Sequence, residues 1–387
     1  MTAPTLLIAG GGTGGHVFPA IAVAEAAQAM ADVEVVFVGT DRGVEARVVP
    51  ARGWRLERLA VEPMKGGGPA RAVRGAAVAA RATLGAAALV RRIRPRAVLS
   101  VGGYAAGPAS LAAAALGVPV AVFEANSHVG LANRLLAPFA GRAYVAWDDA
   151  APAFRARAVR AFGVPLRQGF APVAYPPAGA SARLLVMGGS QGAAVLNERM
   201  PEVFARLKAE GAAFRVVHQA GRDRDAAVRE AYVRAGIDAA VVPFIDDVAR
   251  ALADADLVVA RAGAGTIAEV TAVGRPALLV PFPHAADDHQ ARNAEALAAA
   301  RAAVCLRQER ADVPALAAAV AGLLADAPRR RAMADAARRR GRPHAAEQVA
   351  RDLLGYAGIP CDREAPSPRE GRPAGAGSDR EPDLRWN

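Results

Sequence analysis

One local pattern occurs twice in this chain and constrains its fold more than any other feature. Residues 6–26, LLIAGGGTGGHVFPAIAVAEA, run from an apolar strand through a glycine loop into a helix, and residues 182–200, ARLLVMGGSQGAAVLNERM, do the same. Apolar β-rich runs predict strands at 5–9, 34–38, 97–101, 118–123 and 142–146, then at 183–187, 214–218, 239–243, 257–260, 276–280 and 302–305. Such near-continuous apolar strands, with Ala-rich helices between them, belong to parallel sheets covered on both faces. The 387 residues suffice for two α/β domains of the doubly wound kind, 1–164 and 182–342. The Pro- and Gly-rich stretch 165–181 reads as their linker. Ligands of these sheets bind at the carboxyl ends of the strands, so a groove shared by the two domains is expected to hold the site. The helical pattern over 343–357 comes too late for the second sheet and is expected to pack back on the first domain. Residues 360–387 lack apolar periodicity and read as a disordered tail.

Glycine at a strand-to-helix turn removes the Cβ that would keep backbone N–H groups away from an oxyanion, and the helix behind adds a favourable dipole. A third such loop, Arg261–Thr266, follows the strand 257–260. One glycine loop is equally a packing turn, but three in one chain point to a phosphorylated ligand. The first also spells Gly10-x-Gly12-x-x-Gly15, the dinucleotide spacing, with Asp41 as a somewhat late candidate for the ribose-binding acid. The second carries Ser190 and Gln191 rather than residues of a redox site. No P-loop lysine follows any of the three, which disfavours ATP hydrolysis.

Composition adds exclusions. The formal charge of +11 would suit an anionic partner, but only two lysines, Lys65 and Lys208, are present among 48 basic residues. An arginine- and alanine-biased composition explains the charge equally well. Cys305 and Cys361 stand far apart with no zinc or disulfide spacing. No basic n-region with an apolar core opens the chain, so no signal peptide is expected. The uncharged run 104–123 is split by Gly107-Pro108 and Gly117-Val118-Pro119, and predicts a buried helix and strand rather than a membrane span. Asp254-x-Asp256 imitates a metal motif at a helix end, where a structural role is expected. The arginine run 329–342 has no interleaved aromatics and reads as a solvated helix face, not a nucleic-acid surface.

The segments GGTGGHVFPA, SVGGYAAGP, FEAN, GVPLR, GGSQGA, FIDDV, RAGAGTIAE and DHQARNA occur in this order. Together they resemble the MurG family, bacterial transferases of N-acetylglucosamine (GlcNAc) from UDP-GlcNAc to undecaprenyl-pyrophosphoryl-MurNAc-pentapeptide (lipid I). The likeness spans nearly all of 5–357. It implies a GT-B fold of two Rossmann-like domains, the first receiving lipid I and the second UDP-GlcNAc. For the donor it implies Phe244 and Ile245 at uracil, Glu269 on the ribose, Ser190 and Gln191 at the diphosphate, and the loop Ala264, Gly265 and Thr266. His289, Gln290 and Asn293 would meet the sugar, and Arg167 would reach the nucleotide. For the acceptor it implies Thr13, Gly14 and Gly15 at the pyrophosphate, with Asn126 beyond the strand 118–123. His16 is the expected general base, its pKa lowered by the helix start; Glu124 is the alternative. Phe123, Ala125 and Val248 depart from the family pattern, which carries histidine, glutamine and methionine at those places in many members.

The implied reaction is an inverting displacement by the MurNAc 4-hydroxyl, giving lipid II for peptidoglycan synthesis. Backbone amides serve the leaving diphosphate, so no metal or cofactor is expected to be required, although a divalent cation could stimulate turnover. The lipid acceptor implies residence on the anionic cytoplasmic face of the inner membrane and partners among cell-wall synthesis and division proteins. The amphipathic run 68–96, with Val73, Ala77, Ala80 and Leu84 near one face and Arg71, Arg74 and Arg81 toward others, is the candidate contact. Three rivals are weighed from sequence: a UDP-GlcNAc 2-epimerase, a non-catalytic lipid-carrier-binding scaffold and an NAD-binding redox enzyme.

Overall fold

The computed structural model describes residues 3–61, 69–103, 105–155, 158–176, 179–189, 191–285 and 288–363, with the backbone alone over 69–80. By packing, the chain up to Gln168 joins the segment beginning at His344 to form one unit, and Gly169–Pro343 forms the other.

The first unit is built on a parallel sheet of seven strands. These are β1 (Thr5–Gly10), β2 (Glu34–Gly39), β3 (Arg55–Arg58), β4 (Ala97–Gly102), β5 (Val120–Glu124), β6 (Arg142–Val145) and β7 (Ala158–Arg160), in the order β3-β2-β1-β4-β5-β6-β7. Helices α1 (Gly14–Met30), α2 (Glu45–Val48), α3 (Pro69–Ile93), α4 (Ala106–Ala115) and α5 (Leu131–Leu136) connect them. Leu6, Leu7 and Ile8 of β1 are fully buried, as a central strand covered on both faces requires. Burial of each such side chain contributes roughly 1.5–3 kcal/mol. The edge strands β3 and β7 were not expected; RLER and AVR carry too little apolar pattern to announce themselves. The uncharged run 104–123 forms the short helix α4 and the buried strand β5, and among the described residues no helix is long and apolar enough to cross a membrane.

The second unit has six parallel strands: β8 (Ala182–Met187), β9 (Phe214–Gln219), β10 (Ala239–Val242), β11 (Leu257–Ala260), β12 (Ala277–Leu279) and β13 (Ala303–Cys305), ordered β10-β9-β8-β11-β12-β13. Around them lie α6 (Ala194–Ala209), α7 (Asp225–Arg234), α8 (Val248–Asp254), α9 (Ala264–Val273), α10 (His289–Ala299), α11 (Val313–Ala325) and α12 (Ala327–Arg340). Strand order reverses between β1 and β4 in the first sheet and between β8 and β11 in the second. At such a reversal the connections turn to opposite faces of the sheet, which is where doubly wound folds bind their ligands. All three glycine loops of the sequence emerge from these strands.

The last helix, α13 (Ala345–Tyr356), packs on α1 in the first unit with Val349, Leu353 and Leu354 buried. Its Asp352 accepts a hydrogen bond from the Tyr144 hydroxyl at 2.8 Å and pairs with Arg142 at 3.3 Å. Burial, with the Asp352 carboxylate alongside, raises the Tyr144 pKa.

Two features differ from the sequence reading. The stretch 165–181 is not a free connector: the units divide between Gln168 and Gly169, and residues 173–175 are bound to the second unit. The buried Arg275 donates to the carbonyls of Val173 and Ala174 and to those of Leu252, Ala253 and Gly274, while the Tyr175 hydroxyl donates to the Asp256 carbonyl. Nor is the arginine run wholly solvated. Arg330 is buried, donating to the Leu323 and Leu324 carbonyls that end α11 and to the Tyr175 hydroxyl. Asp256 has the structural role expected of it, gripping the Arg183 guanidinium and amide. Residues 364–387 lie outside the described residues.

Replacing Arg275 with Met will remove the donor from several buried carbonyls at once. Since each orphaned acceptor costs ~1–3 kcal/mol, urea unfolding is expected to show a loss of roughly 3 kcal/mol or more. Arg275→Lys is expected to recover only part of it, because an ammonium lacks the planar fork.

Candidate active site

In the first unit the backbone leaves β1 through Gly10, Gly11 and Gly12 at φ 150°, 156° and 90°, a path that side-chain-bearing residues avoid. A Cβ on Gly10 would overlap the Gly102 carbonyl at the end of β4, and the Gly11 N–H donates to that carbonyl at 3.3 Å. Thr13 then caps α1 in an extended conformation. The first-turn N–H groups of Gly14 and Gly15 have no intrahelical acceptor, so the helix presents them outward with its positive end. His16 follows on the same turn, half-buried. Its Nδ1 lies 3.4 Å from Thr13 Oγ1, and its ring covers Gly102 so closely that a Cβ there would stand 3.1 Å from Nε2.

Beneath this loop lies a carboxylate that the sequence did not advertise. Glu45, at the start of α2, is 1% exposed and accepts from the Gly12 N–H at 2.7 Å and from the Thr40 N–H and hydroxyl at 2.9 Å each. Asp41, the acid considered for a ribose, is exposed and pairs with Arg58 at 3.4 Å. A dinucleotide loop needs its second glycine free to approach pyrophosphate; here the Gly12 amide is already taken.

Glu124 ends β5, next to β4, and is 4% exposed. One oxygen accepts from the Asn126 amide and side chain at 3.0 and 3.2 Å, the other from Gly130 N–H and Asn133 Nδ2 at 3.0 Å each. Four donors on two enclosed oxygens suit a carboxylate that holds Asn126 and the 126–130 turn in place. Arg167 also belongs to this unit, its guanidinium 5.4 Å above the Phe18 ring of α1.

In the second unit Gly188–Gly192 leads from β8 toward α6, with Gly189 and Gly192 at φ 76° and 73°. Gln191 is exposed at its tip, and Ser190 lies outside the described residues. A Cβ on Gly192 would overlap the Ala220 carbonyl beyond β9. That carbonyl is itself held: Asn197 donates to it at 2.9 Å, His218 Nε2 meets Asn197 Oδ1 at 3.1 Å, and His218 Nδ1 meets the Tyr232 hydroxyl at 2.8 Å. Burial lowers the His218 pKa to about 3, so the ring is neutral at physiological pH.

The neighbouring loop opens α9 at Gly263, and helix geometry frees the amides of Ala264, Gly265 and Thr266; Glu269 lies half-buried one turn on. Arg261, whose pKa burial lowers to about 10, donates to the Val280 and Pro281 carbonyls and lies 5.4 Å from the Phe282 ring. The Phe282 amide in turn donates to Gln290 Oε1 at 3.0 Å. Thus residues 261–266 and the α10 start, His289 and Gln290, are tied through one segment, 280–282. Asn293, one turn further on α10, is fully buried with neither side-chain atom hydrogen-bonded among the described residues. Phe244 is 43% exposed and can offer its ring, whereas Ile245 is fully buried. Among the described residues no group of three or more His, Cys, Asp or Glu is placed to hold a metal ion.

The Glycosyltransferase family 28 N-terminal domain matches residues 6–145, and the Glycosyltransferase family 28 C-terminal domain matches 183–349. A protein of Sorangium cellulosum (strain So ce56), named "UDP-N-acetylglucosamine--N-acetylmuramyl-(pentapeptide) pyrophosphoryl-undecaprenol N-acetylglucosamine transferase", is 54% identical over 96% of this chain and 94% of its own length. The crystal structure of Acinetobacter baumannii MurG has a TM-score of 0.77 at 31% identity, covering 91% of this chain and 99% of that one. The chain belongs to the MurG family of glycosyltransferases. Its fold class is accordingly GT-B. A crystal structure of a UDP-N-acetylglucosamine 2-epimerase has a TM-score of 0.60 over 94% of this chain and 99% of that one; at 13% identity it shows a shared fold alone.

Within this MurG-family chain the sequence-predicted residues fall into two groups. Thr13, Gly14, Gly15 and His16 gather at the first switch point, with Glu124 and Asn126 at the end of β5. Gln191, Ala264–Thr266, Glu269, His289 and Gln290 gather around the second. Glu45 and the His218–Asn197–Tyr232 network were missed. A lone Glu after a strand carries no signal, and His218 sits inside a strand with nothing to distinguish it from core.

His218 gives the second unit a pH dependence. Its folded pKa lies below the ordinary 6.5, so the unfolded chain binds the extra proton between the two values. This stabilisation is complete above about pH 6.5 and is lost as pH falls toward 3. Unfolding free energy is expected to drop by roughly 2 kcal/mol more between pH 7 and pH 5 than in His218→Gln, read by urea titration at each pH.

Proposed function

We propose that this chain transfers GlcNAc from UDP-GlcNAc to the 4-hydroxyl of MurNAc in lipid I, forming lipid II. The observation that carries this reading is the pair of glycine-loop switch points with open helix-start amides, one per unit, in a chain of the MurG family: the reaction has two pyrophosphate-bearing substrates. In this reading the α1 start takes the acceptor pyrophosphate on Thr13, Gly14 and Gly15. The second unit takes the donor, with Phe244 at uracil beside the buried Ile245, and Glu269 on the ribose diol. Gly188–Gly192 with Ser190 and Gln191, and the amides of Ala264–Thr266, receive the diphosphate. His289 and Gln290 meet the sugar hydroxyls, with Asn293 one turn behind them, its buried side-chain amide without a hydrogen-bond partner among the described residues. Arg167 has the nucleotide-reaching role that the family resemblance implies.

The chemistry is a direct displacement. His16 removes the proton from the MurNAc 4-hydroxyl as that oxygen attacks the anomeric carbon; the bond to UDP breaks and configuration inverts. His16 sits on the helix turn that holds the pyrophosphate, so one element both binds the acceptor and presents the base. Glu124 positions Asn126 toward the acceptor and takes no proton. Negative charge grows on the leaving diphosphate and meets oriented amides and helix starts, so stabilisation requires no rearrangement of the protein. These dipoles supply the role a metal ion would play, and a divalent cation could add to it without being required. His16→Ala is expected to lower kcat about 10²–10⁴-fold with UDP-GlcNAc binding intact, measured as labelled GlcNAc transfer to a short-chain lipid I analogue. Near-normal turnover would remove His16 from this role.

The lipid acceptor places the enzyme, in this reading, on the anionic cytoplasmic face of the inner membrane, beside cell-wall synthesis and division proteins. Support comes from exposed apolar side chains with arginines beside them: Leu84 with Arg81 on α3, and Leu131 and Leu135 with Arg134 on α5, followed by Phe139. Side chains of 69–80, with Arg71, Val73, Arg74, Ala77 and Ala80, lie outside the described residues. Each arginine near an anionic surface contributes about 1 kcal/mol, screened by salt. Cosedimentation is expected to recover more protein on anionic than on neutral vesicles at low salt, the difference vanishing at high salt. Equal recovery on both would exclude charge-dependent attachment.

A further inference from the structure

We infer that Glu45 is the positioning residue of the acceptor loop, fixing where along that loop a pyrophosphate can sit. The inference rests on the reading that this loop binds the acceptor. It begins with three glycines from two segments, Gly11 after β1, and Gly39 and Gly43 from the end of β2 to the approach to α2. A Cβ on Gly11, Gly39 or Gly43 would collide with the Glu45 side chain, so their backbones together open a slot that one carboxylate fills. The slot is closed by polar contacts: Gly12 N–H on one oxygen, Thr40 N–H and hydroxyl on the other, and the Gly43 N–H on Thr40 Oγ1 at 3.2 Å. The Gly12 carbonyl accepts from the Val44 N–H at 3.4 Å, so Gly12 is clamped on both faces by 40–45.

Glu45 is buried without an ion-pair partner among the described residues. An unpaired buried carboxylate is costly unless donors surround it. Here the donors belong to the loop itself, so the charge is tolerated only while the loop keeps this shape. The same charge acts on the ligand. With Gly12 N–H occupied and a carboxylate below, phosphate oxygens are repelled from the glycine turn. They are directed to the next free amides, those of Thr13, Gly14 and Gly15, where the α1 dipole attracts them. That is the turn carrying His16. Glu45 therefore sets the distance between acceptor pyrophosphate and base without touching either.

Glu45→Gln keeps the volume but turns one acceptor oxygen into an N–H donor facing Gly12 or Thr40. Two measurements on the full chain decide the matter: hydrogen exchange of peptides covering residues 10–16, and KM for the lipid I analogue and for UDP-GlcNAc. We expect exchange about tenfold faster and an acceptor KM about tenfold higher, the loss of one charge-assisted hydrogen bond. Donor KM should stay within about twofold. Unchanged exchange overturns the role of Glu45 and leaves the acceptor assignment standing. Faster exchange without a selective rise in acceptor KM overturns the acceptor assignment of this loop, and this inference with it. If Glu45→Gln does not fold, as judged by loss of UDP-GlcNAc binding, Thr40→Val removes one bond to the same carboxylate. It is read by the same two criteria with a smaller expected change.

Discussion

A backbone amide can hold an anion only if nothing inside the protein claims it first. Doubly wound sheets meet that condition at their switch points, where neighbouring connections turn to opposite faces and leave the first-turn amides of a helix open. The rest of this molecule can be read as the means of keeping those amides both free and still. Glycines at positive φ bring the chain close to its neighbours, and side chains behind the loops stop it from relaxing into hydrogen bonds of its own.

The two units solve the second half of that problem with opposite chemistry. Behind the first loop stands a carboxylate, Glu45, held by the donors it organises. Behind the Gly188–Gly192 loop stands a neutral chain, Tyr232–His218–Asn197, ending on the Ala220 carbonyl against which Gly192 packs. A negative charge behind a diphosphate site would work against the ligand over the whole loop. A neutral relay supports the backbone without that repulsion, and the low pKa of His218 keeps it neutral. The unit read as binding the acceptor uses charge to restrict where the ligand sits; the unit read as binding the donor avoids it.

Much of this was legible in the amino-acid string, and what was hidden was hidden for physical reasons. Central strands such as Leu184–Met187 are apolar throughout because both faces are covered, and they stand out. The edge strands β3 and β7 pair on one side only and need no such run. The first two glycine loops announce themselves because Gly10, Gly11, Gly12, Gly189 and Gly192 take φ values that side-chain-bearing residues avoid. The groups that brace them do not, since Glu45 and Asn197 are polar residues held largely by backbone atoms, and backbone leaves no mark in composition. Arg330 shows the converse error: an arginine run looks solvated, yet one member reaches inward to cap the end of α11. The Pro- and Gly-rich 165–181 looks loose for the same reason, because what holds it is Arg275, a hundred residues later.

The return of α13 to α1 carries a consequence for how the protein comes into being. The sheet of the first unit emerges from the ribosome before the second unit, but the apolar surface of α1 that Val349, Leu353 and Leu354 cover stays uncovered until α13 has been made. Contacts this distant in sequence form late and slowly. The nascent first unit is thus an incomplete body throughout synthesis of the second, and a stalled or truncated chain displays a hydrophobic stripe that quality-control machinery can recognise.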